Sequence, residues 1–328
     1  MTPRDAISEA LVRACYEVFL GRAPENDDVI AEKLRCASVD ELLRSFAGSP
    51  EAQRRFPEQM RPRYFAPLGP IDVDVTADVL NQMFQRVRRE WTALAQADPF
   101  WSVITMEAYR SLQPEDPAVA DFIETGRQTA ALVDVFAQRS GYSLRRGVCL
   151  ELGAGVGRVT RHLSRRFDRV VAVEVSGPSL QIAERILREA GVTNVEFVLL
   201  ESPDDVHDLP QHDFFFSTIV LQHNPPPIQK YVLDCILPKI RDGGAALMQI
   251  PTHTPEYSFS VEQYLQSDAA GMEMHCLPMP VVFSLLEKHG LRPAEVLMDH
   301  WTGLYGSHTF FAVKAARATS STRATASS

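Results

Sequence analysis

Residues 148–160 read Val-Cys-Leu-Glu-Leu-Gly-Ala-Gly-Val-Gly-Arg-Val-Thr, and no other stretch constrains the fold as much. An apolar run carries an acidic residue, Glu151, near its end. Glycines follow at alternate positions, Gly153, Gly155 and Gly157, and then a helix-compatible segment begins. A strand that ends in a glycine turn ahead of a helix brings bare backbone against a ligand, because no Cβ stands in the way. From residue 147 onward, apolar runs and amphipathic segments alternate. The pattern predicts strands at 147–152, 169–174, 194–200, 213–220, 244–250, 293–299 and 308–314, and helices near 157–167, 178–190, 227–239 and 278–289. Such alternation gives an α/β fold, a mostly parallel sheet with helices on both faces and ligands at the carboxyl ends of its strands. The last two runs have no long helix between them, which allows an antiparallel hairpin.

The acidic residues narrow the ligand. The run Val170-Val171-Ala172-Val173 ends in Glu174. A carboxylate at the tip of the second strand can accept hydrogen bonds from both hydroxyls of a ribose. That alone suits a nicotinamide dinucleotide or S-adenosylmethionine. Dinucleotide folds favour G-x-G-x-x-G, with the pyrophosphate at a helix N-terminus. Here the pattern is E-x-G-x-G-x-G, which sets a carboxylate where a phosphate would be repelled and where an ammonium and a sulfonium are welcome.

On these residues, the stretch 141–315 resembles the class I S-adenosylmethionine-dependent methyltransferases. The resemblance implies a Rossmann-like seven-stranded sheet, mostly parallel with the last strand antiparallel, and S-adenosylmethionine as cofactor. It implies that backbone at Gly153, Gly155 and Gly157 reaches the methionine part and that Glu151 orients its ammonium. Glu174 would take the ribose hydroxyls and Val175 would pack on adenine. Glu201 or Ser202 would lie near the adenine amino group, and the backbone of Gln222 would pass close to the sulfonium.

Residues 1–60 read as a helical module. Thr2-Pro3 is a helix start. Ile7, Leu11, Cys15 and Val18 form one apolar stripe, which Gly21 and Pro24 end. Ser38-Val39-Asp40-Glu41 is a capping-box pattern ahead of Leu42, Leu43 and Phe46, and Ser49-Pro50 opens another short helix. With Tyr16-Glu17-Val18-Phe19-Leu20-Gly21-Arg22-Ala23-Pro24 and Ser49-Pro50-Glu51, this stretch resembles a module found ahead of some bacterial methyltransferases linked to glycan biosynthesis. Residues 61–140 read as a linker rich in proline and glycine, then a helical lid region. One helix carries Val79, Leu80, Met83, Phe84, Val87 and Trp91 on a single face, and another lies near 118–138. Between them, Phe100 and Trp101 are either a lid or an anchor. The small, polar tail 316–328 is expected to be disordered.

With a net charge of −9 over 328 residues, a broad nucleic-acid footprint is not expected. Five cysteines without paired spacing read as reduced thiols in a cytoplasmic protein, and no apolar run is long enough to span a bilayer. The N-terminal residues lack an apolar signal region. No metal site and no particular oligomeric state are expected.

Methyl transfer to a hydroxyl needs a base within hydrogen-bond reach, and histidine suits neutral pH. His223, in Leu221-Gln222-His223-Asn224-Pro225-Pro226-Pro227 after the fourth strand, is the first candidate. Asn224-Pro225-Pro226 resembles the motif of amide and adenine N-methyltransferases. Their fourth residue is aromatic, whereas Pro227 stands here. The surrounding run is closer to bacterial sugar or polysaccharide methyltransferases, so the expected acceptor is a small molecule or glycan, with Asn224 contacting it. His275 is the second candidate base. Glu273, two residues before it, shares its face in an extended segment. Tyr257 and Gln249 are further candidates for binding the acceptor, and His300, Trp301, Ser307 and His308 cluster near the final hairpin. His162, His207, His212 and His289 are expected to be solvated. Three functions follow: O-methylation of a sugar hydroxyl in glycan or glycoconjugate biosynthesis, methylation of a small metabolite or natural product, and cofactor binding without catalysis in a regulatory or scaffold protein.

Overall fold

The computed structural model describes residues 7–47, 49–55, 69–254, 256–267, 271–299, 301 and 306–316. The start at Thr2-Pro3, the prolines 62 and 67, His300 and the tail 317–328 lie outside the described residues. The chain divides into two compact units, 1–66 and 67–328.

The first unit contains α1 (Glu9–Cys15), which runs on as a π-helical turn over Tyr16–Leu20, then α2 (Asp27–Lys33), α3 (Val39–Ala47) and α4 (Pro50–Arg55). Ser38 caps α3: the Glu41 N–H donates to Ser38 Oγ (3.1 Å), while the Glu41 carboxylate accepts from the Ala37 N–H (2.6 Å) rather than from Ser38. Val12, Cys15, Tyr16, Ile30, Leu42 and Phe46 form its core.

The second unit holds a seven-stranded sheet in the order β3-β2-β1-β4-β5-β7-β6. The strands are β1 (Val148–Leu152), β2 (Arg169–Glu174), β3 (Val195–Leu199), β4 (His212–Ser217), β5 (Ile240–His253), β6 (Leu291–Asp299) and β7 (Gly306–Lys314). β7 runs antiparallel between β5 and β6, and the pairings among β1 to β5 are parallel. This is the Rossmann-like methyltransferase fold.

The helices of this unit are α5 (Ala77–Ala97), α6 (Ala118–Arg139), α7 (Thr160–Leu163), α8 (Gly177–Glu189), α9 (Pro226–Ile236), α10 (Val261–Gln266) and α11 (Met279–Lys288). Side chains alternate across β1. Leu150 and Leu152 join Val171, Val173 and Phe215 in one core, with Leu80, Met83, Phe84 and Val87 of α5. Cys149 joins Val170, Phe214 and Phe216 in the other, with Ala130, Val133 and Phe136 of α6. The two helices that precede β1 therefore cover its two faces.

The largest departures from the sequence expectation are at the start of β5 and at α7. β5 begins at Ile240 rather than 244, because it passes through a register shift where Gly243 has φ 75°. Gly244 lies there against the Asp213 carbonyl, 2.6 Å from where a Cβ would stand. The helix expected over 157–167 shrinks to Thr160–Leu163, because Gly157 keeps a left-handed turn (φ 84°) ahead of it.

Candidate active site

A cavity of about 660 Å³ opens at the carboxyl ends of β1, β2 and β4, within the range of small-molecule sites. Its first wall is the glycine loop. The N–H groups of Gly153 and Ala154 both donate to Val173 O of β2 (2.8 and 3.0 Å), which folds the loop back over the sheet. Gly153 has φ 79°, and a Cβ there would stand 2.2 Å from Val220 Cγ2. Only glycine lets the end of β4 close on this loop.

Two buried carboxylates flank the loop. Glu174 accepts from Gly155 N–H on Oε2 (2.8 Å) and from the N–H groups of Val175 (2.8 Å) and Ser176 (3.0 Å) on Oε1. Burial raises its pKa, and those three backbone donors pull it back. Glu151 is 2% exposed, and its Oε2 has no hydrogen-bond partner. Burial pushes its pKa up to about 7, against the opposing pull of Thr160 and Arg158, while Glu174 adds to the rise. A carboxylate buried without a partner is costly unless a donor arrives.

Arg158, straight after the loop, also faces the cavity with its Nε unpartnered. Its Nη1 lies 3.4 Å from the Thr125 hydroxyl and 3.5 Å from that of Thr129. A buried acid with an open oxygen and a half-buried guanidinium on one wall can hold a zwitterion, ammonium to one and carboxylate to the other. The wall therefore fits the charges of the methionine part of S-adenosylmethionine, and Glu174 and Val175 line the same cavity. Arg158 was missed from sequence, although its place in the glycine motif was a usable signal.

The end of β4 supplies the second wall. Gln222, His223 and Asn224 all line the cavity. His223 Nδ1 lies 3.0 Å from the Glu273 carbonyl, so the neutral ring carries its proton on Nδ1. Nε2 is then a lone pair, 3.1 Å from Gln222 Nε2, which donates to it. The ring packs edge-on against Trp91 of α5 at 5.0 Å. Burial lowers the His223 pKa, and the Glu273 carbonyl opposes this. The Asn224 Nδ2 donates to Val220 O (3.0 Å), and its backbone carbonyl accepts from Gln229 Nε2 (2.7 Å).

His275, Glu273 and Tyr257 are brought together, but away from this cavity. They line a separate depression of about 360 Å³. His275 Nε2 lies 3.2 Å from Glu273 Oε2, its Nδ1 lies 3.1 Å from the Tyr257 hydroxyl, and Glu273 Oε1 accepts from Arg86 (3.0 Å). The shared face of Glu273 and His275 is as their spacing suggests. Met272 and Met274, on the alternate positions, line the main cavity. The His275 N–H donates to the Gln222 carbonyl (2.7 Å), so this carbonyl is taken and the segment is stitched to the cavity wall.

Several other expectations land elsewhere. Glu201 is held outside the cavity lining by α5, its carboxylate by Arg88 (2.8 Å) and its carbonyl by Gln85 (2.7 Å). Ser202 caps the 3₁₀ turn Pro203–His207, and Leu200 lines the cavity in their place. Gln249 is fully buried. It accepts from the Ile219 N–H (2.9 Å) and donates to Ser307 (2.7 Å), bracing Ile219 at φ 58°. Phe100 is an anchor, packed edge-on against Phe122 at 5.2 Å, and Arg110 covers Trp101. Their neighbours Ser102, Val103, Ile104 and Thr105 line the cavity instead, with Val103 directly over Gly155. His162 and His212 are buried, not solvated, on the carbonyls of Ile123 (2.9 Å) and Pro210 (3.1 Å). His289 pairs with Asp234 (2.6 Å), and His207 bonds Tyr231 (3.0 Å). Trp301 lines the cavity, and His308 bonds Thr252 (2.9 Å). Among the described residues, no group of three or more acids, cysteines or histidines could hold a metal, and no helix is long and apolar enough to cross a membrane.

Residues 149–244 match the family model of a methyltransferase domain. Two curated proteins match short stretches. A probable ribosomal RNA small subunit methyltransferase A of Methanopyrus kandleri is 38% identical over 63 residues, which is 18% of this chain and 23% of the relative. A tRNA/tmRNA (uracil-C(5))-methyltransferase of a Nitratiruptor species is 43% identical over 58 residues, 18% of this chain and 16% of the relative. The chain thus spans less than a quarter of the curated relatives it matches. Among solved structures it is similar to the magnesium protoporphyrin IX methyltransferase of Synechocystis with bound S-adenosylhomocysteine, at 18% identity and a TM-score of 0.49 over 70% of this chain and 98% of that one. It is also similar to a 1,6-didemethyltoxoflavin-N1-methyltransferase of Burkholderia thailandensis, at 18% identity and a TM-score of 0.48 over 76% and 95%.

Proposed function

We propose that the chain is an S-adenosylmethionine-dependent methyltransferase that acts on a hydroxyl presented beside His223. The observation that carries this reading is one cavity with two unlike walls. Glu151, Arg158 and Glu174 lie around the glycine loop, and His223 lies at the end of β4. The cofactor, when bound, supplies an electrophilic methyl group whose bond to sulfur breaks as a bond to the acceptor forms.

The chain's own residues do the rest. Glu151 takes the ammonium on its open oxygen, Arg158 the carboxylate, and Glu174 the ribose hydroxyls. Val103, over Gly155, and its neighbours through Thr105 keep water from that wall. His223 accepts the hydroxyl proton at Nε2, the nitrogen left free by the Nδ1–H bond to Glu273 O. As the hydroxyl arrives, the Gln222 amide that now donates to Nε2 turns aside and frees that lone pair. A sugar hydroxyl, suggested by the likeness of the Gln-His-Asn-Pro-Pro run, is one acceptor of this kind.

The test is labelled methyl transfer from S-adenosylmethionine, with calorimetric titration of the same protein. Binding together with transfer supports the reading. Tight cofactor binding with no labelled product would leave a binding protein instead.

A further inference from the structure

We infer that the methyl acceptor is an uncharged molecule with an apolar ring face, and that nucleotide sugars and other phosphorylated or carboxylated acceptors are excluded. The inference rests on the methyl-transfer reading above and narrows its substrate. Among the described residues that line the cavity, the charged side chains are Glu151, Arg158 and Glu174. All three stand around the glycine loop, where the cofactor is held.

The wall around His223 is of another kind. Trp91 packs on the His223 ring at 5.0 Å. Met272 and Met274 flank the residue whose carbonyl holds His223 Nδ1, and Ile104 and Trp301 line the same cavity. No described lysine or arginine besides Arg158 lines the cavity. The nearest charges behind that wall are turned away from it: the Glu273 carboxylate bonds Arg86 and His275 on the far side of its extended segment. A phosphate brought to this wall would leave water with no cation to meet it.

A second observation points the same way. Gln222 and Gln229 line the cavity, are 2% and 0% exposed, and each has a side-chain oxygen with no hydrogen-bond partner. Two open acceptor oxygens beside an apolar surface favour a ligand that brings hydroxyl hydrogens, and they repel an anion. The matching ligand is a hydroxylated ring, a phenol or a neutral glycoside, with its flat face on Trp91 and the methionines.

The experiment uses the full chain and does not presuppose the acceptor. S-adenosylmethionine labelled in its methyl group is incubated with the protein and an extract of the source cells. The labelled products are then passed over an anion exchanger at neutral pH, and the flow-through is extracted with butanol. Label in the flow-through that partitions into butanol is the expected result. Label retained on the exchanger would overturn the inference and leave the methyl-transfer reading standing. Absence of label, or absence of cofactor binding by calorimetry, would remove that reading and the inference with it. Once a neutral acceptor is in hand, its phosphorylated derivative should react about a hundredfold more slowly. Met272→Lys should narrow that gap about tenfold by supplying the missing cation; equal rates with the two acceptors in the unmodified protein would contradict the account.

Discussion

The two walls of the cavity are made in opposite ways. The cofactor wall is local and polar. Its loop lies within one turn of chain, its shape comes from backbone bonds to Val173 and Glu174, and its charges are buried acids and one arginine. The acceptor wall is assembled from Trp91 of α5, the end of β4 and the segment 272–274, and its surface beside His223 is mostly apolar side chains. The first wall can hold only a ligand that meets its charges. The second can change by single side-chain substitutions without disturbing the first. Chemistry is thus separated from selectivity along the chain, although the two meet at Gln222 and His223.

Gly153→Ala attacks the cofactor wall most severely. The new Cβ would be driven against Val220 at a left-handed backbone position. A loss of about 3 kcal/mol or more in stability is expected, with no measurable cofactor binding. A thermal melt and a calorimetric titration read the two effects, and near-native values for both would break the account of that wall.

Glu151→Gln is milder. Burial puts the Glu151 pKa at about 7, so an incoming ammonium must draw the carboxylate into its charged form. In the unmodified protein, affinity for S-adenosylmethionine should rise between pH 6 and 7.5, with a proton released on binding below pH 7. The Gln variant should bind about thirtyfold more weakly and lose that pH dependence. Calorimetry in two buffers of different ionisation heat measures both.

His275→Phe tests the segment that links the walls. His275 touches neither ligand position and acts as a positioning residue, through its N–H to the Gln222 carbonyl and its side chain on Glu273 and Tyr257. A fall of about tenfold in kcat with unchanged cofactor affinity is expected. The pH profile of kcat/KM should move as well, because the Glu273 carbonyl that holds His223 is loosened. An unchanged profile would make the network purely structural.

The remaining effect concerns stability. Burial pushes His212 and His275 down to about 4, so both are neutral in the fold, whereas an unfolded chain protonates them near 6.5. Their contribution is complete above pH 6.5 and fades as pH falls towards 4, amounting to about 2 kcal/mol for each by pH 5. Urea midpoints at pH 7.5 and 5 measure it, and His212→Phe should remove about half of the difference.

The cofactor wall was readable in the sequence because its constraints are local. Alternate glycines, Glu151 and Glu174 follow from one turn and two strand ends, and the succession of strands and helices was read from the same alternation. What was not readable depends on contacts between distant residues. Glu201 looks like an adenine contact until α5 brings Arg88 and Gln85 to it. Gln249 looks like a pocket residue until β7 brings Ser307. His162 and His212 look solvated because carbonyl partners that permit burial leave no mark on the pattern. Met272 and Met274 were not singled out beside Glu273 and His275, yet they alternate with them along the segment and line the cavity. The start of β5 was missed because residues 240–243 lack an apolar run, whereas Gly243 and the register shift form an irregularity within the strand.

The most direct test of the central claim, that one cavity holds the cofactor at the glycine loop and the reacting group at His223, is a paired measurement on His223→Ala. Its affinity for S-adenosylmethionine should equal that of the unmodified protein in a calorimetric titration, while labelled methyl transfer falls about a hundredfold or more. Unchanged transfer, or lost cofactor binding with the fold intact, would contradict the account.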